Sequence, residues 1–328
     1  MNLRPPGYEP GELPDCSTPR RGDQYTSVRR YFRLVPAGSG AFVMGTGIVS
    51  VALALDGEEA LSRLLLAFAV AGWLVSAAAA LGRARVPASL TGVAGTAVLG
   101  ARAALLGFGR AATVALALAV AMWLVLAPGL MRTPRERAVG TSFLVVVATE
   151  SIAVLAALVS QVEEARWLAP VAVAPLVLGL AAYPLVARRF DLREVASGHG
   201  DQWVAGGALA IAALACAEVG GAATGALHTW LDHASFVVWA LAVGWLPVLV
   251  AGELRGPRRG FDLRRWATVF PVGMYAVCSF LVARSDGVAP IATFARIWVW
   301  VAVSVWLLAF AGAARRGAWI AAHYDPGR

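Results

Sequence analysis

The chain has 328 residues, 59 % of them apolar and only 15 % charged, with a mean hydropathy of +0.68. A soluble domain carries about 25 % charged residues, so a soluble protein is excluded. The net charge of +8 comes from 28 basic residues that are all arginine; they sit in short clusters between apolar runs, a pattern of membrane topology rather than of nucleic-acid binding.

The first 33 residues are polar, rich in Pro, Gly and Arg, and contain Glu9, Glu12, Asp15 and Asp23. That composition predicts a disordered cytosolic tail, with Val28 to Leu34 lying on the membrane surface. A membrane helix needs about 20 apolar residues to cross ~30 Å of hydrocarbon. Ten such runs follow: 36–55, 60–82, 88–108, 110–131, 138–160, 165–187, 202–224, 230–252, 265–284 and 289–313. The expected fold is therefore an all-α integral membrane domain of ten transmembrane helices over residues 34–315. A cytosolic C-terminal tail is expected over 316–328.

Arginine sets the orientation. With the N-terminus in the cytosol, 22 arginines fall on the inner side and four, Arg63, Arg110, Arg166 and Arg284, on the outer side. The inner leaflet of the plasma membrane's cytosolic face is where such an excess belongs, so both termini are expected in the cytosol. Arg102 and Arg296 fall within spans.

Spans alternate in character. Even-numbered ones are bulky, and four share a Trp-Leu pair: Trp73-Leu74, Trp123-Leu124, Trp245-Leu246 and Trp306-Leu307. Odd-numbered ones carry small residues: Gly45-Thr46-Gly47, Gly95-Thr96, Gly140-Thr141 and Gly206-Gly207. The Trp intervals parse as five helical hairpins. Small residues permit close approach or leave an axis open, whereas Leu and Trp suit the lipid face. Five small-faced helices around a central pore, with five bulky ones outside, is the expected arrangement.

Ionisable groups at membrane depth are costly and mark function or pairing. There are four: Arg102, Glu150, Glu218 and Arg296. Arg102, on a small-faced helix, is expected to draw anions into an outer vestibule, and Arg296 to pair structurally. Glu150, between Thr149 and Ser151, is a candidate for proton coupling. Pro271 lacks an N–H and predicts a kink in the ninth span, with Phe270 at the bend.

Other motifs fall away. Gly45-Thr46-Gly47 has two glycines of a dinucleotide loop but neither the third nor a βαβ setting. Cys16, Cys216 and Cys278 form no CxxC pair, and His228 and His233, five apart around Asp232, lack metal-ligand spacing, so no cofactor or metal is expected. An embedded enzyme would need clustered His, Cys or acidic residues, which the sequence does not offer.

Several runs resemble one family. Phe42-Val43-Met44-Gly45-Thr46-Gly47-Ile48-Val49-Ser50, with Pro36 before it, is similar to the first helix of the tellurite-resistance/dicarboxylate transporters. Malate permeases, sulfite efflux pumps and plant guard-cell slow anion channels belong to the same family. Ala94-Gly95-Thr96-Ala97-Val98-Leu99-Gly100, Val147-Ala148-Thr149-Glu150-Ser151, Gly207-Ala208-Leu209-Ala210-Ile211 and Val269-Phe270-Pro271-Val272-Gly273-Met274-Tyr275 extend the likeness over about residues 30 to 325. The resemblance implies five hairpins around a pore, a homotrimer, and a pore closed by Phe270. It implies transport of small anions, such as C4-dicarboxylates, tellurite or sulfite. Glu150 departs from the family, where Gln is common. Gly45, Thr46, Gly47, Thr96, Arg102, Thr141, Glu150 and Pro271 are the expected anion pathway, and a proton-coupled carrier using Glu150 is the nearest alternative.

Overall fold

A computed structural model describes residues 40–81, 89–130, 138–196, 200, 202–256 and 265–323. The expected N-terminal tail, Cys16, Pro36 and the arginines at 83, 85, 132, 135, 137, 258, 259, 264 and 328 lie outside the described residues.

Ten α-helices are present among the described residues. They are α1 (Gly40–Asp56), α2 (Glu59–Leu81), α3 (Leu90–Leu105), α4 (Gly109–Leu130), α5 (Leu144–Val162), α6 (Leu168–Ala187), α7 (Trp203–Ala222), α8 (Ala226–Arg255), α9 (Trp266–Asp286) and α10 (Ala289–His323). Eight are long and apolar enough to cross a membrane; α1 and α3, with 17 and 16 residues, are shorter. α10 continues through residues 316–323, so most of the expected C-terminal tail is helix.

Burial divides the helices by parity. In the apolar stretches of α5, α7 and α9, 83–89 % of residues are buried, against 17–22 % in α2, α4, α6, α8 and α10. α1 and α3 are also buried over most of their length. Two short helices can therefore sit inside, because other helices rather than lipid satisfy their surroundings.

Small residues make the inner contacts. A methyl group on Gly47 would lie 2.8 Å from Val98 Cγ1, and one on Gly95 3.1 Å from Val43 Cγ1, so α1 and α3 pack backbone to side chain. Gly100 approaches Leu155 in the same way between α3 and α5, and Gly207 approaches Pro271 between α7 and α9. Gly45 against Val269, and Gly273 against Ile48, join α9 back to α1. With α5 on α7, the five odd-numbered helices form a closed ring.

Each odd helix runs into the next even one through a link of two to five residues. Gly57 and Gly287 turn two of these links at φ +95° and +66°, a region that side chains with a Cβ rarely occupy.

A repeated hydrogen bond ties each even helix to the odd helix after it. Trp73 Nε1 donates to Thr96 Oγ1 at 2.9 Å, Trp123 Nε1 to Thr149 Oγ1 at 3.0 Å, and Trp306 Nε1 to Thr46 Oγ1 at 3.0 Å. Between α6 and α7 the place is taken by Tyr183, whose hydroxyl donates to the Ala205 carbonyl at 3.3 Å. Between α8 and α9 it is Trp239, donating to Ser279 Oγ at 2.8 Å. Thr96, Thr149 and Ser279 each donate in turn to the carbonyl four residues back, which leaves a lone pair for the indole.

These bonds correct the expectation that the Trp-Leu pairs face lipid. In three pairs the Trp turns inward while Leu74, Leu124 and Leu307 are 56 %, 59 % and 53 % exposed. In the fourth, Leu246 is buried. The physical reason is the indole N–H, which has no partner in hydrocarbon and finds one on a ring helix. Thr96→Val is expected to strand the Trp73 N–H and cost about 1–3 kcal/mol. Thermal unfolding in detergent would read this, and the loss should shrink when Trp73 is already Phe.

Candidate functional site

Among the described residues, all five odd helices contribute to a cavity inside the ring. Ile48, Val51 and Leu55 come from α1; Ala97, Val98, Ala101 and Leu105 from α3; Ser151, Val154 and Leu158 from α5; Ile211, Leu214 and Glu218 from α7; and Met274, Val277, Leu281 and Arg284 from α9. On α1, α5, α7 and α9 successive lining positions step by three or four residues, and α3 adds Ala97 beside Val98 to the same spacing, so each helix presents one face to the axis. The cavity measures about 60 Å³, room for a few waters.

Exposure distinguishes its two ends. Leu105 is 43 % exposed and Arg284 is exposed, at the C-terminal ends of α3 and α9, so the mouth lies there. Ile48, Ser151, Ile211 and Met274 close the other end and are buried. One turn beyond that floor, four residues before Ile48 and Met274, stand Met44 and Phe270, 1 % and 0 % exposed. The stripe of α9 reads Phe270, Met274, Val277, Leu281, Arg284.

Charge at the mouth comes from a pair the sequence reading used otherwise. Arg284, in the last turn of α9, lines the cavity there, and Glu218 of α7 lines the same end. Steps of four and three residues from Phe270 reach Arg284, and the same steps from Gly207 reach Glu218.

Arg102, expected at the anion pathway, is turned away from it. Its guanidinium is buried between α3 and the start of α2, where Nη2 donates to Glu59 Oε2 at 2.6 Å and Nε to Ser62 Oγ at 2.9 Å. Ser62 and Ser50 exchange hydroxyl-to-carbonyl bonds of 2.7 Å, so the network also reaches α1. Glu59 is shared with Arg63, whose Nε lies 2.8 Å from Oε1. A buried cation needs such partners, and this one finds them away from the axis.

The remaining expected pathway residues also serve packing or lie elsewhere. Thr46 and Thr96 accept indoles, Gly45 and Gly47 seat α9 and α3, and Pro271 packs on Gly207. Thr141 is exposed in the 3₁₀ turn Gly140–Phe143 ahead of α5. α9 is helical from Trp266 to Asp286 with Pro271 inside it. Glu150 is fully buried but faces α6: a methyl on Gly179 would lie 2.5 Å from its Cδ, and neither carboxyl oxygen has a hydrogen-bond partner among the described residues. Ser151, not Glu150, is on the lining stripe of α5. Arg296 is exposed on α10 rather than paired within the bundle.

His228 and His233 diverge. His228 Nδ1 is 2.9 Å from the Gly220 carbonyl and Nε2 is 3.3 Å from Asp232 Oδ2, joining α7 to α8, while His233 Nδ1 bonds the Thr229 carbonyl of its own helix.

Residues 35–314 match the family model described as voltage-dependent anion channel, SLAC1. The chain belongs to the SLAC1 family. This family comprises anion channels and transporters, and the chain is a multi-pass membrane protein. It is also similar to an uncharacterised membrane protein of Mycobacterium tuberculosis, found in strains CDC 1551 and H37Rv. The match is 34 % identical over 151 residues, covering 43 % of this chain and 72 % of the relative. The SLAC1 match takes in every lining residue of the cavity, from Ile48 to Arg284.

Proposed function

We propose that small anions cross the membrane along the axis of the odd-helix ring, entering at the mouth that holds Arg284 and meeting a constriction at Phe270. The observation that carries this reading is the convergence of five helices on one cavity that ends in a cation at its open end and a buried Phe one turn past its floor. Narrow apolar segments hold back ions because dehydration there is costly, so a bulky ring on the axis stops conduction until it moves.

The arginine distribution supports a mouth on the outer side of a plasma-membrane protein with both termini in the cytosol, because most arginines belong to the ends opposite the short links. Five helical hairpins grouped as a homotrimer is the assembly the family likeness favours. Malate, succinate, tellurite and sulfite are the candidate substrates alongside nitrate and chloride. A counterflow assay in proteoliposomes with malate, succinate, sulfite, nitrate and chloride tests the reading, and transport of none of them overturns it.

Passage without proton coupling through Glu150 fits its place off the axis, against Gly179. Glu150→Gln is expected to leave anion flux and its dependence on a pH gradient as in the parent protein. Loss of a pH-driven component on that substitution would establish the proton-coupled carrier instead.

A further inference from the structure

The first turns of α8 carry a side-chain pair that the axial pathway does not use. His228 and Asp232 stand four residues apart and so share one face of the helix. His228 Nε2 lies 3.3 Å from Asp232 Oδ2, and His228 Nδ1 lies 2.9 Å from the Gly220 carbonyl in the last turn of α7. A carbonyl oxygen only accepts, so the proton of the neutral ring sits on Nδ1, and Nε2 turns its lone pair toward the carboxylate. Two acceptors then face each other, an arrangement that calls for a cation.

Their separation tells which cation. A proton held between imidazolium and carboxylate draws nitrogen and oxygen to about 2.7–2.9 Å. Zinc bonds an imidazole nitrogen at about 2.0–2.1 Å and a carboxylate oxygen at about 2.0–2.2 Å, which at a tetrahedral angle sets the two ligand atoms about 3.4 Å apart. The observed 3.3 Å fits the metal. The bond from Nδ1–H to a backbone carbonyl is the outer contact that fixes ring and tautomer for a metal on Nε2. Asp232 Oδ1 is buried against Gly220 and has no hydrogen-bond partner among the described residues, so no other donor there competes for the carboxylate.

We propose that His228 Nε2 and Asp232 Oδ2 form a binding site for a divalent transition-metal ion of the zinc class, at the end of the bundle that holds the cavity mouth. The side chains are 48 % and 22 % exposed, so an ion reaches both from water and water completes its shell. Imidazole suits zinc, nickel and copper, whereas magnesium and calcium take oxygen ligands. His233 bonds the Thr229 carbonyl and takes no part. Through the His228 ring, the metal ties the last turn of α7 to α8.

The test titrates the full chain, purified in detergent without a histidine tag, with Zn2+ by calorimetry and follows its thermal unfolding with and without the ion. Asp232→Asn and His228→Gln are each expected to weaken zinc binding at least about tenfold and to remove the rise in unfolding temperature that zinc gives the parent protein. His233→Gln should leave both as in the parent, and Mg2+ should neither bind nor stabilise. Asp232→Asn keeps the size of the side chain and the Gly220 contact, so it decides the matter should His228→Gln fail to fold. Zinc affinity unchanged in Asp232→Asn overturns the site. A parent protein that binds no Zn2+ at millimolar concentration also overturns it and leaves His228 and Asp232 as an ion pair only. Neither readout involves anion flux, so the axial pathway stands or falls separately.

Discussion

Phe270→Ala is expected to raise anion flux through reconstituted protein at least about tenfold, because it removes the largest side chain on the axial stripe one turn below the cavity floor. Met44, buried four residues before the lining Ile48 on α1, holds the equivalent place on its own stripe, so Met44→Ala should give a smaller rise in the same direction. Truncating a buried Phe also costs about 3–5 kcal/mol of stability. Thermal unfolding of the same preparation therefore accompanies the flux measurement, and Phe270→Leu supplies a gentler opening. Flux at parental levels in a folded Phe270→Ala protein would remove the constriction.

The second large effect concerns stability, and it is asymmetric. Arg102 is buried with Glu59 at 2.6 Å, whereas the Glu59 side chain is 40 % exposed. Glu59→Ala leaves a buried guanidinium with only Ser62 as partner among the described residues and is expected to destabilise the fold more than removal of the arginine does. Arg102→Met removes the buried charge itself and leaves Glu59 to water and Arg63, so it should cost about 1 kcal/mol or less. Chemical denaturation in detergent separates the two. Anion flux through Arg102→Met should stay at the parental level, because its side chain does not line the cavity; a flux that falls severalfold would return Arg102 to the pathway.

The ten helices and their alternation were legible in the sequence because hydropathy and residue size are properties of each segment by itself. Gly45, Gly47, Gly95 and Gly207 marked the inner helices correctly for the same reason. Side-chain direction was not legible from neighbouring letters. Hydroxyls in apolar helices suggest a polar lining at Thr46 and Thr96, but a Trp on the adjoining outer helix claims each of them. The sequence gives only the depth of Arg102 and Glu150 in the membrane. Depth fixes the cost of burying a charge and says nothing of which way it points, and both turn out one residue away from a lining position, Ala101 and Ser151. By composition Arg284 is a topology marker, yet it continues the stripe that begins at Phe270. The useful signal was the phase of the stripe, which a helical count from Phe270 contains and composition does not.

The bond from Trp306 to Thr46 joins residues 260 positions apart in sequence, yet it has nearly the same length as those from Trp73 and Trp123 to their neighbours. In space, then, the first and last helices meet as any other successive pair does. Among the described residues the seam between α10 and α1 is tied by the same kind of bond as the seams within the bundle, so it should resist opening as they do.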